Sequence, residues 1–243
     1  MKKLIFMVAF LLIVESAFAL TGRQIMDRSD KLKEPQTSKT RMLMVIYKGD
    51  RKYKKVFKSI SKKVNGKRRT LISFIKPTRL KFLTHARGGG DDDQWLRLTS
   101  GRIKRIAGSD KDSPFVNSHF LYEDMQSRNI DDYNYKLLGE TTVLGHECYI
   151  VESRKKTKSR VYNKIKVYVR KSDYFVVKVI FYKKNRKYKI LENYRITVVK
   201  GIITPKKVVM RMVKTSGKTI LYTKELIYNG YVSTAKLSRG ALR

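Results

Sequence analysis

The sequence predicts a mainly β, α+β fold built on an antiparallel barrel or a strongly curved antiparallel sheet. Three observations point there. From Thr40 onward apolar and polar residues alternate with period two through about eleven or twelve short segments separated by closely spaced turn signals. Helical patterning is scarce, confined to Thr21–Lys33 and a short piece near Tyr122–Arg128. Several strands are also apolar on both parities, as in Met42-Leu43-Met44-Val45-Ile46, so one of their faces has to meet something other than water.

The chain opens with Lys2 and Lys3, an unbroken apolar run of 11 residues from Leu4 to Val14, and Ala17-Phe18-Ala19. That is the pattern of a secretory leader, residues 1–19, cleaved after Ala19. At 1.5 Å per residue the run spans only about 16 Å, roughly half a bilayer core. The expected mature chain starts at Leu20, so it carries no N-terminal cysteine for lipidation, and residues 20–243 read as one exported, periplasmic domain. The lone Cys148 allows no intramolecular disulfide.

Thr21 is a plausible N-cap for the first helix, with Ile25, Met26 and Leu32 as inward candidates and Pro35 as its stop. Strands follow over Thr40–Tyr47 and Val56–Ile60. Asn65-Gly66 is the strongest hairpin signal in the chain, because a type I′ turn needs positive φ at both central positions. Leu71–Ile75 pairs back, and Arg79–Ala86 precedes Gly88-Gly89-Gly90. After the central stretch come Tyr133–Thr142, Glu147–Ser153, Lys164–Arg170, Phe175–Tyr182, Tyr188–Val199, Ile203–Val213 and Thr219–Tyr228. The basic run Arg154–Arg160 reads as an exposed loop.

The central stretch, Asp91 to Met125, is the most informative. An acidic run leads into a short strand holding Trp95, the only tryptophan, and a turn at Thr99-Ser100-Gly101 feeds a second strand over Arg102–Ile106. A Gly/Ser/Asp/Pro-rich loop then reaches Tyr122-Glu123-Asp124, the start of a short helix. The order predicts a sheet edge with a loop folded over it. Asp92-Asp93-Gln94-Trp95-Leu96, Gly101 to Ile106, and Ser118-His119-Phe120 followed by Tyr122-Glu123-Asp124 resemble the pattern of LolA-like outer-membrane lipoprotein-sorting proteins, in their transporter-associated branch. Phe74-Ile75-Lys76-Pro77, Phe82-Leu83 and Gly145-His146-Glu147-Cys148-Tyr149 fit the same pattern. Thr99-Ser100 stand where a Pro-containing turn is usual, and His119 stands in place of an Asp.

The resemblance implies an incomplete barrel with short helices as a lid over a hydrophobic cavity that binds lipid or the acyl chains of a lipoprotein. Candidate lining residues are Phe74, Leu83, Trp95, Leu96, Leu98, Phe115 and Phe120. Strand alternation turns Trp95 and Leu96 to opposite sides, so at most one of that pair can line it. Burying about ten methylenes contributes ~8 kcal/mol, a micromolar-scale affinity that needs no catalytic group.

The net charge of +36, or +35 without Lys2, Lys3 and Glu15, favours anionic partners such as an anionic membrane surface or an acidic envelope polymer. A Lys/Ile/Tyr/Asn-rich coding bias would give the same composition. Asp91-Asp92-Asp93 lacks the spacing of a calcium loop and reads as a solvated turn paired with nearby lysines. His146 and Cys148 share a strand face, but no second cluster completes a zinc site. His85 and His119 are isolated, Gly88–Gly90 opens no phosphate-binding helix, and no motif calls for a cofactor or an enzyme. The scattered lysines and the leader argue against nucleic acid. The expected partners are therefore a lipid or acylated lipoprotein and a membrane transporter or outer-membrane acceptor. A cargo-free accessory subunit with a filled core, or an electrostatic binder of envelope polymer, are the competing readings.

Overall fold

In the computed structural model the described residues are 20–157 and 161–243, so the leader and residues 158–160 of the basic run lie outside them. Among the described residues the single α-helix, α1, spans Gly22–Asp30. Thr21 caps it as expected: its Oγ1 accepts from the Gln24 amide at 3.2 Å, and Gln24 Oε1 accepts from the Thr21 amide at 2.8 Å. The helix ends at Asp30, earlier than the expected Lys33, with Lys31 as its C-cap.

Among the described residues thirteen strands follow. They are β1 (Thr37–Lys48), β2 (Arg51–Val64), β3 (Lys67–Lys76), β4 (Lys81–His85), β5 (Asp93–Arg97), β6 (Ile103–Ile106), β7 (Tyr133–Val143), β8 (His146–Lys155), β9 (Lys164–Arg170), β10 (Val176–Lys183), β11 (Arg186–Val199), β12 (Ile202–Met212) and β13 (Lys218–Tyr228). Several outrun the apolar alternation that betrays them in the sequence. β2 continues through lysine-rich ends because backbone pairing with β1 runs from Lys48↔Arg51 to Thr37↔Lys62. Asn65 and Gly66 have φ of 50° and 74°, as the hairpin between β2 and β3 requires. Arg154 and Lys155 belong to β8 rather than to a loop.

All neighbours pair antiparallel in one open sheet, in the order β6-β5-β4-β3-β2-β1-β13-β12-β11-β10-β9-β8-β7. The segment 107–132 therefore connects the two edge strands, and does so through four short 3₁₀ turns. Laid flat at about 4.8 Å per strand, the edges would lie roughly 58 Å apart. Curling brings them together: Asp91, just before β5, lies 2.7 Å from Lys111 and 3.8 Å from Lys155 at the end of β8. The sheet is thus an incomplete barrel, and the 107–132 segment is its lid.

Doubly apolar strands are resolved differently on the two faces. The inner face gathers Met44 and Ile46 of β1, Phe57, Phe74, Phe82, Val167 and Phe181 beneath the lid. On the outer face, lysine ammonium groups lie over tyrosine rings, as Lys164 Nζ does over Tyr182 at 4.9 Å and Lys207 Nζ over Tyr194 at 5.0 Å. A smaller outer cluster seats the C-terminal 3₁₀ turns (Thr234–Leu237 and Arg239–Leu242) through Val232, Leu237 and Leu242.

Candidate functional site

The lid is wedged into the inner face by its own aromatic residues. Phe115 packs 5.0 Å from Phe82, 5.9 Å from Phe74 and 5.5 Å from Tyr122, measured between ring centres. Phe120, Leu121 and Tyr122 are buried beside it. Hydrogen bonds fix the wedge: the Phe115 amide donates to Phe120 O at 2.8 Å, and Gln94 Nε2 of β5 donates to Tyr122 O at 3.1 Å. Val116 is held at φ 47°, where a β-branched side chain costs ~1–3 kcal/mol. The burial of Phe115 and Phe120 on either side offsets that strain.

A fully buried lysine ammonium meets the lid at Asp124. Lys189, on β11, has a side chain 0% exposed and pairs with Asp124, 5% exposed. Tyr162 Oη donates to Asp124 Oδ1 at 2.7 Å, the Leu121 amide donates to Oδ2 at 2.7 Å, and the ammonium also donates to His119 O at 3.3 Å. The rings of Tyr162 and Phe181 each lie 5.3 Å from the ammonium. Burial pushes the Lys189 ammonium down from its ordinary range, and Asp124 pulls the other way. Burial pushes the Tyr162 phenol up, and Asp124 adds to it. One carboxylate thus ties the lid to two distant parts of the chain.

His119 makes a second tie, to β13. Its amide donates to Thr219 Oγ1 at 3.0 Å and its Nδ1 lies 2.8 Å from the same hydroxyl. Burial lowers its imidazole pKa, helped by the positive charges of Lys48 and Lys189. A third tie runs through Asp92, which is buried rather than part of a solvated turn. Its carboxylate accepts from the Ser127 amide and hydroxyl, both at 2.7 Å. The aspartates flanking it do pair with basic groups: Asp91 with Lys111, Asp93 with Arg87 and Arg105.

One apolar opening lies beside the lid rather than beneath it. A cleft of about 200 Å³ separates α1 from β7–β10, walled by Met26, Tyr135, Ile165, Val167, Val176 and Val179. Ile130 and Tyr133, at the lid's exit, close one side, and Asp30 and Arg128 stand among its lining residues. Burial raises the pKa of Asp30, with Glu34, Asp27 and Asp131 adding to it. Tyr135 Oη donates to Ile130 O at 3.0 Å, which keeps its polar end satisfied while its ring faces the cleft. A small hollow of about 30 Å³ shares the wall residues Arg128, Tyr133, Ser153 and Ile165.

The seven residues expected to line a cavity divide among three environments. Phe74, Leu96, Phe115 and Phe120 meet in the inner core, and Leu98 packs against it half-buried. Leu83 and Trp95 lie on the other face, under the C-terminal segment, as the opposed alternation of Trp95 and Leu96 requires. None of the seven lines the open cleft. Met26 was legible as an inward position of the first helix. Tyr133, Tyr135, Ile165 and Val167 carried only the period-two signal of ordinary strands. Cys148, in β8, is buried, and burial pushes its thiol up.

An open antiparallel sheet curled round an apolar interior, with a lid crossing from edge to edge, defines the LolA-like class of protein. A family model described as an uncharacterized protein matches residues 66–243. The chain belongs to this LolA-like family. A DUF1329 family protein from Desulfovibrio piger is 29% identical, with a TM-score of 0.87 over 91% of this chain and 98% of its own. A domain from Vibrio parahaemolyticus named for outer membrane lipoprotein sorting is 26% identical, with a TM-score of 0.86 over 91% and 97%. A LolA superfamily protein from Nitrosomonas europaea shares the fold at 17% identity and a TM-score of 0.71, over 92% and 100%. No curated protein matches in sequence.

Proposed function

We propose that residues 20–243 form an exported, periplasmic carrier or sensor that takes lipid, or the acyl chains of a lipoprotein, into the apolar track between sheet and lid. The observation that carries this reading is the open cleft walled by Met26, Tyr135, Ile165, Val167, Val176 and Val179, continuous with a core that the lid's own rings fill. The kinship with a domain named for outer membrane lipoprotein sorting supports it.

At about 200 Å³ the cleft is smaller than the ~300–1,000 Å³ of drug-sized ligand pockets, so it receives the end of an acyl chain. A whole chain needs Phe115, Phe120 and Tyr122 to withdraw. The lid rings then act as a stand-in for cargo, and Asp124–Lys189 sets how firmly they hold. Each methylene that replaces them contributes ~0.8 kcal/mol. Transfer follows from an affinity difference, when a membrane transporter or outer-membrane acceptor offers the chain a better site.

The test is titration with a fluorescent fatty acid, together with mass spectrometry of lipids released from protein purified from its native envelope. Stoichiometric probe binding, abolished by Val167→Trp in the cleft wall, is expected. A protein that ignores the probe and carries no lipid is the cargo-free accessory subunit, a reading favoured by the lid's filled interior.

A further inference from the structure

The β1–β2 hairpin projects past its neighbour. β2 begins at Arg51, but its first partner on the β3 side is Val56↔Lys76, so five residues extend roughly 17 Å beyond that pairing. The tip is unusually cationic even for this chain. Lys48, Arg51, Lys52 and Lys54 are exposed there with Asp50 as the one carboxylate, and the turns on either side add Arg79 and Lys214. Among the described residues none of these six cations has an ion-pair partner, although arginines and lysines elsewhere form many such pairs.

The charges are also crowded. Lys52 and Lys218 approach the Tyr47 ring, at 5.6 and 5.0 Å from its centre. Burial lowers the pKa of Lys55, and the charge of Lys48 lowers it further. Lys48, Lys52, Lys54 and Lys55, with Tyr53, Ile46, Pro77 and Asn117, enclose an open cleft of about 560 Å³. Tyr53 is 45% exposed, an amphipathic ring in the wall of that cleft. Edge-protecting lysines alone would explain a few charges along an unpaired strand. They do not explain four lysines and an exposed tyrosine in the wall of one cleft.

We infer that this hairpin tip is the edge by which the protein seats on an anionic phospholipid bilayer, its lysines meeting lipid phosphates and Tyr53 entering the headgroup layer. The chemistry fits. A phosphate-bearing surface supplies the negative charge that the tip lacks, and an aromatic ring with a polar end suits the boundary between headgroups and acyl chains. The seating does not depend on the cleft beside α1 holding cargo, so the two readings fail separately.

Flotation of the purified protein with vesicles of phosphatidylglycerol and phosphatidylethanolamine, against vesicles of phosphatidylcholine alone, tests it. Binding to the anionic vesicles alone is expected, falling steeply with salt as the ~8 Å Debye length shortens. Lys52→Gln with Lys54→Gln should lower the partition coefficient about thirtyfold, which is ~2 kcal/mol at about 1 kcal/mol per lysine near such a surface. Lys52→Arg with Lys54→Arg should retain binding. Lys67→Gln with Lys200→Gln, which removes the same charge from exposed positions at the opposite end of the sheet, should change it by less than about threefold. Equal losses from the two Gln pairs, equal binding to phosphatidylcholine, or no binding to anionic vesicles would each overturn the inference.

Discussion

Asp124→Ala removes the carboxylate that three donors share. The Tyr162 hydroxyl and the Leu121 amide lose acceptors 2.7 Å away, and the Lys189 ammonium keeps only the His119 carbonyl at 3.3 Å and the faces of nearby rings. Lys189 is 0% exposed, so water cannot take the place of the carboxylate without breaking the core open. Breaking a buried pair in this way costs ~3–5 kcal/mol. With a urea slope near ~3 kcal/mol/M, the unfolding midpoint followed by far-UV circular dichroism should fall by roughly 1–1.7 M. Replacing both partners, Asp124→Leu with Lys189→Met, removes the uncompensated charge and should recover most of that loss. Amide exchange should also accelerate first in the lid, because the carboxylate is its tie to Tyr162 and Lys189. A loss below about 1 kcal/mol for Asp124→Ala, or a double variant no better than the single one, would refute the latch.

Leu237→Ala empties a fully buried position over Trp95 and should cost ~2–5 kcal/mol, with Trp95 fluorescence shifting to the red as water reaches the ring. Gly22→Ala would set a Cβ 2.7 Å from the Leu137 amide nitrogen and 2.9 Å from the Lys136 carbonyl carbon. Since backbone cannot give way there, α1 must lift from β7, at ~1–3 kcal/mol by thermal or urea unfolding. Asp93 supplies a pH prediction. The Arg87 guanidinium holds its carboxyl below the usual range, against a smaller opposing push from burial, and Arg105 adds to the lowering. The resulting stability is complete above the unfolded carboxylate value and is lost as pH falls through the lower folded one. Arg87 and Arg105 are 55% and 63% exposed, so Asp93→Asn should flatten the acid limb of urea midpoints by no more than ~1 kcal/mol.

Local chemistry made much of this chain legible. The cap at Thr21, the positive-φ turn at Asn65-Gly66 and the strand over Lys164–Arg170 depend on residues within a few positions of one another, and they read directly from the sequence. So did the opposed faces of Trp95 and Leu96, because side-chain alternation is a property of the strand itself. The candidate site depends on longer distances. Phe74, Phe115 and Phe120 are apolar in sequence whether they line a hollow or fill it. Only the path of the lid from β6 to β7 makes them its packing. Asp92 looks like its solvated neighbours until Ser127, thirty-five residues away, donates to it. Lys189 is one lysine in a run rich in them, and its burial exists only because β11 curls beneath Asp124. The sequence by itself determined alternation, turns and the ratio of strand to helix, since these are set by nearest neighbours along the backbone. Tertiary structure alone decided where the apolar surface stays open, because that depends on how far the sheet curls and which side chains the returning lid sets against it.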